Sequence, residues 1–401
     1  MSLTRPPIAG AADSPNSSLP SRHYLDHAST SPPRPEVVAE MERWYDHSSG
    51  TGDPGRVHAE GRGARFAIEQ AREQVAGLLG VRPRQVVFTS GGTEAANAAS
   101  WGAARARPGR PQLLAGVEHS CVRESTARLA PTVLLPVDDT GRIDTDGLRD
   151  ALEKCAAGGE NPALVHCQAA NHEVGTLQPV EEVVEVCQRH GAWVHVDACA
   201  AAGHVPLALG EGGADLASVS SHKLGGPPGV GALVVRRGLR IEPLIVGGDQ
   251  ERARRAGFEN VAAIAGFGAA AGVLAQPARL AEESARARRQ IERLEEVAAG
   301  APDVEVLGDP RRRLPHILCL AVGGVEAEPV LLALDRAGIA AHSGSSCSSE
   351  SLAPSPVLEA MGADPERSLR LSVGWSTNDK DVEAFAAAFA PALEQLRALR
   401  R

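Results

Sequence analysis

Lys223 follows the apolar run 214–219 through Ser220-Ser221-His222, and Gly225-Gly226-Pro227-Pro228-Gly229 comes next. A lysine that ends a strand at a glycine-rich loop stands where α/β proteins build their sites, and its unprotonated amine attacks carbonyl groups. Only three lysines, Lys154, Lys223 and Lys380, occur among 41 basic residues. Lys154 lies in a helix-like run and Lys380 opens the last helix, so both read as solvated. A plain surface-loop lysine is the alternative for Lys223. Upstream, Thr89-Ser90-Gly91-Gly92-Thr93-Glu94-Ala95-Ala96-Asn97 joins a strand to a helix. Its glycines let backbone N–H groups approach an anion, and Thr93 adds a hydroxyl at a helix N-terminus. No lysine follows the second glycine, so this is not a P-loop; a helix start capped by Thr93 is the alternative. Val194-His195-Val196-Asp197-Ala198 puts an aspartate at the carboxyl end of an apolar strand. Burying it is costly without a partner. A pyridinium N–H is one such partner, and a structural cap on the next turn is another. Taken in order, the three features suit pyridoxal phosphate. The cup holds the phosphate, Asp197 keeps the ring nitrogen protonated, and Lys223 carries the aldehyde. Their conjunction is more specific than any one of them.

Two further residues join this set. His119, in Val117-Glu118-His119-Ser120, can stack on such a ring and move protons, although one histidine among 13 is more often structural. Cys347 lies in Ser343-Gly344-Ser345-Ser346-Cys347-Ser348-Ser349. In that small polar run a thiolate is expected to be exposed and mobile. The remaining cysteines of the seven fall in helical or strand-like runs or at a strand end and are expected to be buried or inert.

These residues need a scaffold, and the pattern supplies one. Short apolar strands are expected at 86–89, 112–115, 132–137, 163–168, 193–197, 216–220 and 232–236. Helices at 64–79, 94–106, 120–129, 146–156 and 180–189 accompany them. That alternation predicts an α/β fold with a mostly parallel sheet of seven strands, covered on both faces. A long Arg/Glu/Ala/Leu helix at 278–299 then leads into a smaller α+β domain. The expected division is a disordered tail at 1–20, an N-terminal segment at 21–35 packing on the small domain, a large domain at 36–275 and a small C-terminal domain at 276–401. A chain of 401 residues with a formal charge of −9 lacks the basic footprint of a general nucleic-acid binder. No apolar run suggests a membrane span, and the first 20 residues lack a secretory core. Cysteines without CxxC spacing argue against both a disulfide framework and a metal site, and predict a cytoplasmic protein.

The chain resembles the cysteine desulfurases of the class V aminotransferase group, over about residues 23–400. The resemblance rests on Tyr24-Leu25-Asp26-His27-Ala28-Ser29-Thr30, the cup at 89–97, Glu118-His119, Asn171-His172-Glu173-Val174-Gly175-Thr176, His195-Val196-Asp197 and Ser220–Lys223. Gln250-Glu251-Arg252, Glu259-Asn260, the cysteine loop and Leu369-Arg370-Leu371-Ser372-Val373-Gly374 complete it. The loop, followed by Leu352-Ala353-Pro354-Ser355, is similar to the longer mobile loop of desulfurases that serve iron–sulfur assembly. The resemblance implies an aspartate-aminotransferase-like fold (fold type I) and pyridoxal 5′-phosphate held through Lys223. It implies Asp197 on the pyridine nitrogen and Gly92, Thr93, Ser220 and His222 around the phosphate. It further implies His119 as ring-stacking acid or base, Arg370 on the substrate carboxylate, and Cys347 as the thiolate that takes sulfur from L-cysteine. A homodimer and a sulfur-acceptor protein are implied too. Selenocysteine lyase and C–S β-lyase are the alternatives, in which Cys347 would be dispensable. A non-catalytic sulfur relay is a third. Three positions depart from the family: His172 for a usual Asn, Ala200 for a usual Gln, and Phe258 for a usual Thr. His172 can replace one cofactor-directed donor, whereas Phe258 cannot replace a hydroxyl. A hydrogen bond to a charged group is worth ~1.5–3 kcal/mol, so an atypical enzyme tied to a dedicated pathway is expected.

Overall fold

A computed structural model describes residues 22–46, 52–210, 212–343 and 354–399. The expected tail at 1–20 and the loop that holds Cys347 lie outside the described residues. The chain enters through β1 (His23–Tyr24), α1 (Pro35–Tyr45) and α2 (Ala59–Leu79), then passes into β2 (Val86–Thr89), α3 (Gly92–Ala106), β3 (Gln112–Ala115) and α4 (Ser120–Leu129). It continues with β4 (Thr132–Leu135), α5 (Thr145–Ala157), β5 (Leu164–Gln168), α6 (Val180–Arg189), β6 (Val194–Asp197), β7 (Leu216–Ser220) and β8 (Gly231–Val235). These seven strands, β2 to β8, are the ones the sequence pattern places. They form one sheet in the order β2-β8-β7-β6-β5-β3-β4. Strand β8 runs antiparallel to both neighbours, and every other pair is parallel. Most of the strands are buried along their whole length, as a sheet covered by helices on both faces requires. The helices supply apolar faces to match: Val183, Val184, Val186 and Cys187 are the buried side of α6.

After the sheet come the single turn α7 (Gln250–Ala253), α8 (Val261–Leu274) and α9 (Pro277–Ala299). Helix α8 is mostly alanine and glycine and is buried nearly all round. A Cβ on Gly268 would lie 2.6 Å from Ala71, so glycine is what lets α8 lie against α2. A second core follows. Strands β9 (Val304–Leu307), β10 (Ile317–Val322) and β12 (Ser368–Ser372) form an antiparallel sheet ordered β12-β10-β9. Phe385, Phe389 and Leu393 of α12 (Asp379–Ala398) pack on it with Ile291 and Leu294 of α9. Helix α10 (Ala327–Arg336) adds Val330 and Leu334 to that core, and α11 (Pro356–Ala360) precedes β12. Strand β1 pairs with β11 (Ile339–Ala340), and Asp26 bridges to Ser372. The N-terminal segment is thereby tied to the second core. No single helix among the described residues is long and apolar enough to cross a membrane.

Candidate active site

A cavity of about 530 Å³ opens at the carboxyl ends of the parallel strands. It is lined by Gly92 and Thr93 after β2, His119 after β3, His172 after β5, Asp197 at the end of β6, and Ser220, His222 and Lys223 at the end of β7. Arg370 of β12 closes it from the second core. The structure thus brings together every site residue nominated from the sequence except Cys347, which lies outside the described residues. Crevices beyond the carboxyl ends of strands are where α/β sheets bind ligands.

Each side chain has a local reason for its place. Gly92 begins α3, with Gly91 rather than Thr93 at the cap position. The leading amides of a helix have no acceptor within it, so this first turn offers N–H groups to an anion. A Cβ on Gly92 would overlap the Cys199 sulfur. Asp197 Oδ1 accepts from the Cys199 N–H at 3.0 Å and the Ser218 hydroxyl at 3.1 Å. Burial pushes its pKa up, but the Cys199 N–H, joined by the His195 and His119 rings where these are charged, below about pH 4, outweighs that and holds the carboxyl below its usual range. It is therefore an ionised carboxylate facing the cavity. His119 caps α4: its Nδ1 accepts from the Cys121 N–H at 3.1 Å. Burial, then the Lys223 charge, lowers its pKa to about 4. Neutral and accepting through Nδ1, it carries its hydrogen on Nε2. His172 meets His119 edge-on, with ring centroids 5.0 Å apart, and burial keeps it uncharged too. His222 is lowered to about 4 by burial and then by Lys223.

Arg370 is held on three sides. Nη1 donates to the His172 carbonyl at 2.9 Å, and Nη2 to Asp26 Oδ1 at 2.9 Å and Ser29 Oγ at 2.6 Å. Its Nε is buried with no partner among the described residues. Three of the five N–H donors of the expected fork are thus engaged, and Nε and one hydrogen of Nη1 are left over.

Sequence reasoning missed part of the lining. Cys121 and Cys199 both face the cavity; Cys199 is buried, as expected, whereas Cys121 is partly exposed. Their closeness to His119 and Asp197 in the chain was the available signal. Glu118 was quoted only as the neighbour of His119. It is buried, and Oε1 accepts from the Gln168 N–H at 2.7 Å. Burial, then the Asp197 charge, raises its pKa to about 8. An acid raised from 4.5 to about 8 stabilises the fold fully below pH 4.5, and that contribution fades as pH rises to about 8. Glu118→Gln removes the titration and keeps the acceptor. In urea unfolding, the variant should gain on the parent between pH 5 and pH 8 by a few kcal/mol, on the order of one pKa unit per 1.4 kcal/mol. Parallel pH profiles would refute it.

Of the three departures, His172 and Ala200 line the cavity, whereas Phe258 does not and is 66% exposed. Among the described residues no group of three histidine, cysteine or acidic side chains is placed to hold a metal.

The model of the family described as aminotransferase class-V matches residues 23–385. The chain belongs to the class-V aminotransferase family. It is 37% identical to the cysteine desulfurase IscS of Dictyoglomus turgidum, covering 94% of this chain and 95% of that one. It is 38% identical to the putative cysteine desulfurase IscS 1 of Bacillus subtilis, covering 94% and 99%. The NifS-like protein of Rickettsia africae superposes with a TM-score of 0.84 at 28% identity, over 93% of this chain and 99% of that one. The fold is that of the pyridoxal-phosphate enzymes of type I, and the family's cofactor is pyridoxal 5′-phosphate. The residues fit that group. A buried ionised carboxylate, a lysine and the open first turn of α3 face one cavity.

Proposed function

We propose that this chain is a pyridoxal 5′-phosphate-dependent cysteine desulfurase, which takes the sulfur of L-cysteine and releases L-alanine. The meeting of Lys223, Asp197 and the first turn of α3 in one cavity carries the reading, in a chain whose full-length relatives bear that name. Bound there, pyridoxal phosphate supplies a carbonyl for the substrate amine and a ring that withdraws electrons. Lys223 holds its aldehyde. The amides of Gly92 and Thr93, with Ser220 and His222, hold its phosphate. Asp197 keeps the ring nitrogen protonated. His119 holds a hydrogen at Nε2 that it gives to a basic atom in the cavity and can take back. Arg370, which lines the cavity, offers the guanidinium hydrogens its neighbours leave unused to the substrate carboxylate while Asp26 and Ser29 keep the group oriented.

The Cys347 thiolate takes the substrate sulfur. A sulfur–sulfur bond forms, the carbon–sulfur bond breaks with its electron pair left on carbon, and a proton completes the methyl group of alanine. A sulfur-acceptor protein then takes the persulfide sulfur, for iron–sulfur assembly on the resemblance of the loop. A homodimer suits the surface: Val246 and Phe258 are exposed, on a segment that Arg255 fastens to Glu94 of the cavity wall. The described cysteines are all free thiols, in keeping with a cytoplasmic protein.

Purified protein given pyridoxal phosphate, L-cysteine and a thiol reductant should form alanine and sulfide in equal amounts. Pyruvate and ammonia in place of alanine would make it a C–S β-lyase, and turnover of selenocysteine alone a selenocysteine lyase.

A further inference from the structure

A file of buried side chains runs from Asp197 back into the sheet. Ser218 of β7 donates to Asp197 Oδ1 at 3.1 Å. His195 Nε2, on β6, lies 3.2 Å from the same hydroxyl. His195 Nδ1 lies 2.9 Å from Nδ1 of His166 on β5, and His166 Nε2 lies 2.9 Å from Oε1 of Gln112 on β3. Strand register builds the file: His166 pairs with His195, and Asp197 with Ser218. Gln112, His166, His195 and Ser218 are fully buried. None of these four lines the cavity, and the chemistry above uses none of them.

The hydrogens in the file can be counted. Gln112 Nε2 donates to the Ser100 carbonyl at 2.9 Å. A carbonyl only accepts, so the amide is fixed with Oε1 towards His166. The Thr126 and Ser100 hydroxyls lie farther from His166 Nε2, at 3.3 and 3.5 Å, and the nearest partner, Gln112 Oε1, only accepts, so His166 carries hydrogen on Nε2. Burial drives its pKa well below the usual value, so the ring is neutral and Nδ1 accepts. His195 therefore donates from Nδ1. It too is neutral, lowered to about 4 by burial, so its Nε2 also accepts. The Ser218 hydroxyl then faces two acceptors with one hydrogen. The carboxylate is the stronger, so the contact left without a hydrogen is Ser218 to His195, the longest of the four at 3.2 Å.

We propose that Gln112, His166 and His195 are positioning residues that act through Ser218 on Asp197. They hold a single run of tautomers whose last atom, His195 Nε2, competes with Asp197 for the Ser218 hydroxyl and so sets how tightly Asp197 holds a protonated ring nitrogen. The other ionisable groups facing Asp197 are Glu118, His119, Cys199 and, across the cavity, Lys223, and the substitutions below leave them in place.

Two measurements test this. In purified protein without added cofactor, nitrogen-15 shifts of labelled histidine should show hydrogen on Nε2 of His166 and on Nδ1 of His195. The reverse tautomers, or a doubly protonated ring, would overturn the proposal. The second measurement rests on the pyridoxal phosphate reading above. With cofactor labelled at the ring nitrogen, Ser218→Ala removes a donor from the carboxylate and should raise the pH at which that nitrogen loses its proton by about one unit. His195→Leu removes the competitor and should lower it. A merely structural role would cost stability in both variants without opposite shifts, so shifts in one direction, or none, would overturn the proposal. Should His195→Leu not fold, Ser218→Ala and the tautomers decide the matter. A cofactor that does not bind would sink the functional reading and leave the tautomer test standing.

Discussion

Lys223→Ala should lower alanine formation from L-cysteine by roughly 10³-fold or more, the scale set by losing a positioned amine that both binds a carbonyl and moves protons. The chain makes the attachment unusually easy to trace. Its three lysines are Lys154, Lys223 and Lys380. Lys154 sits in the last turn of α5 and Lys380 in the first turn of α12, and of the three only Lys223 lines the cavity. Borohydride reduction of the parent loaded with pyridoxal phosphate, followed by digestion and mass spectrometry, should therefore put the cofactor on the peptide that holds Lys223. The variant should show no such peptide. It should still fold, because Lys223 lies in a turn, Ser221–Leu224, whose buried anchors are Ser221 and Leu224. Label on Lys154 or Lys380 in the parent, or full activity in the variant, would refute the assignment.

Much of this site was legible because it lies at the ends of strands that announce themselves. A strand buried on both faces reads as a short apolar run, and Leu216–Ser220 and Gln112–Ala115 are found where such runs occur. The order of strands was not legible, since β8 inserts between β7 and β2 and its pairing with β2 is distant in sequence. Helix α8 was missed for another reason. Its alanines and glycines are buried nearly all round, so no polar face marks a period. Strand β9 has four residues, half of them exposed, too few to establish an alternation. Within the site, sequence named Asp197, Lys223 and His119 from motifs but could not count the hydrogens behind Asp197, because His166 and Gln112 reach it only through strand register. A helix start capped by Thr93 was the alternative reading of the cup; the structure gives the cap position to Gly91.

Cys347→Ala should likewise lower alanine formation on the order of 10³-fold, as removal of an attacking nucleophile does, while leaving cofactor binding intact. Both ends of the segment that carries Cys347 are moored at the cavity. On one side His342 lines the cavity and pairs with Arg370 through two backbone hydrogen bonds, at 2.6 and 3.2 Å. On the other, Ser355 donates to Glu173 Oε2 at 2.6 Å, and Glu173 lines the same cavity. The competing thiols are the two in the cavity wall. Cys199 is ill suited, because burial and then the Asp197 charge push its pKa well above the ordinary thiol value. Cys121 stands beside His119, with its sulfur 3.1 Å from Nδ1. The variant therefore separates two outcomes cleanly. Loss of alanine with the cofactor spectrum unchanged assigns sulfur transfer to Cys347. Alanine formed at the parental rate would refute that assignment and turn attention to Cys121, whose own replacement would then have to abolish the reaction.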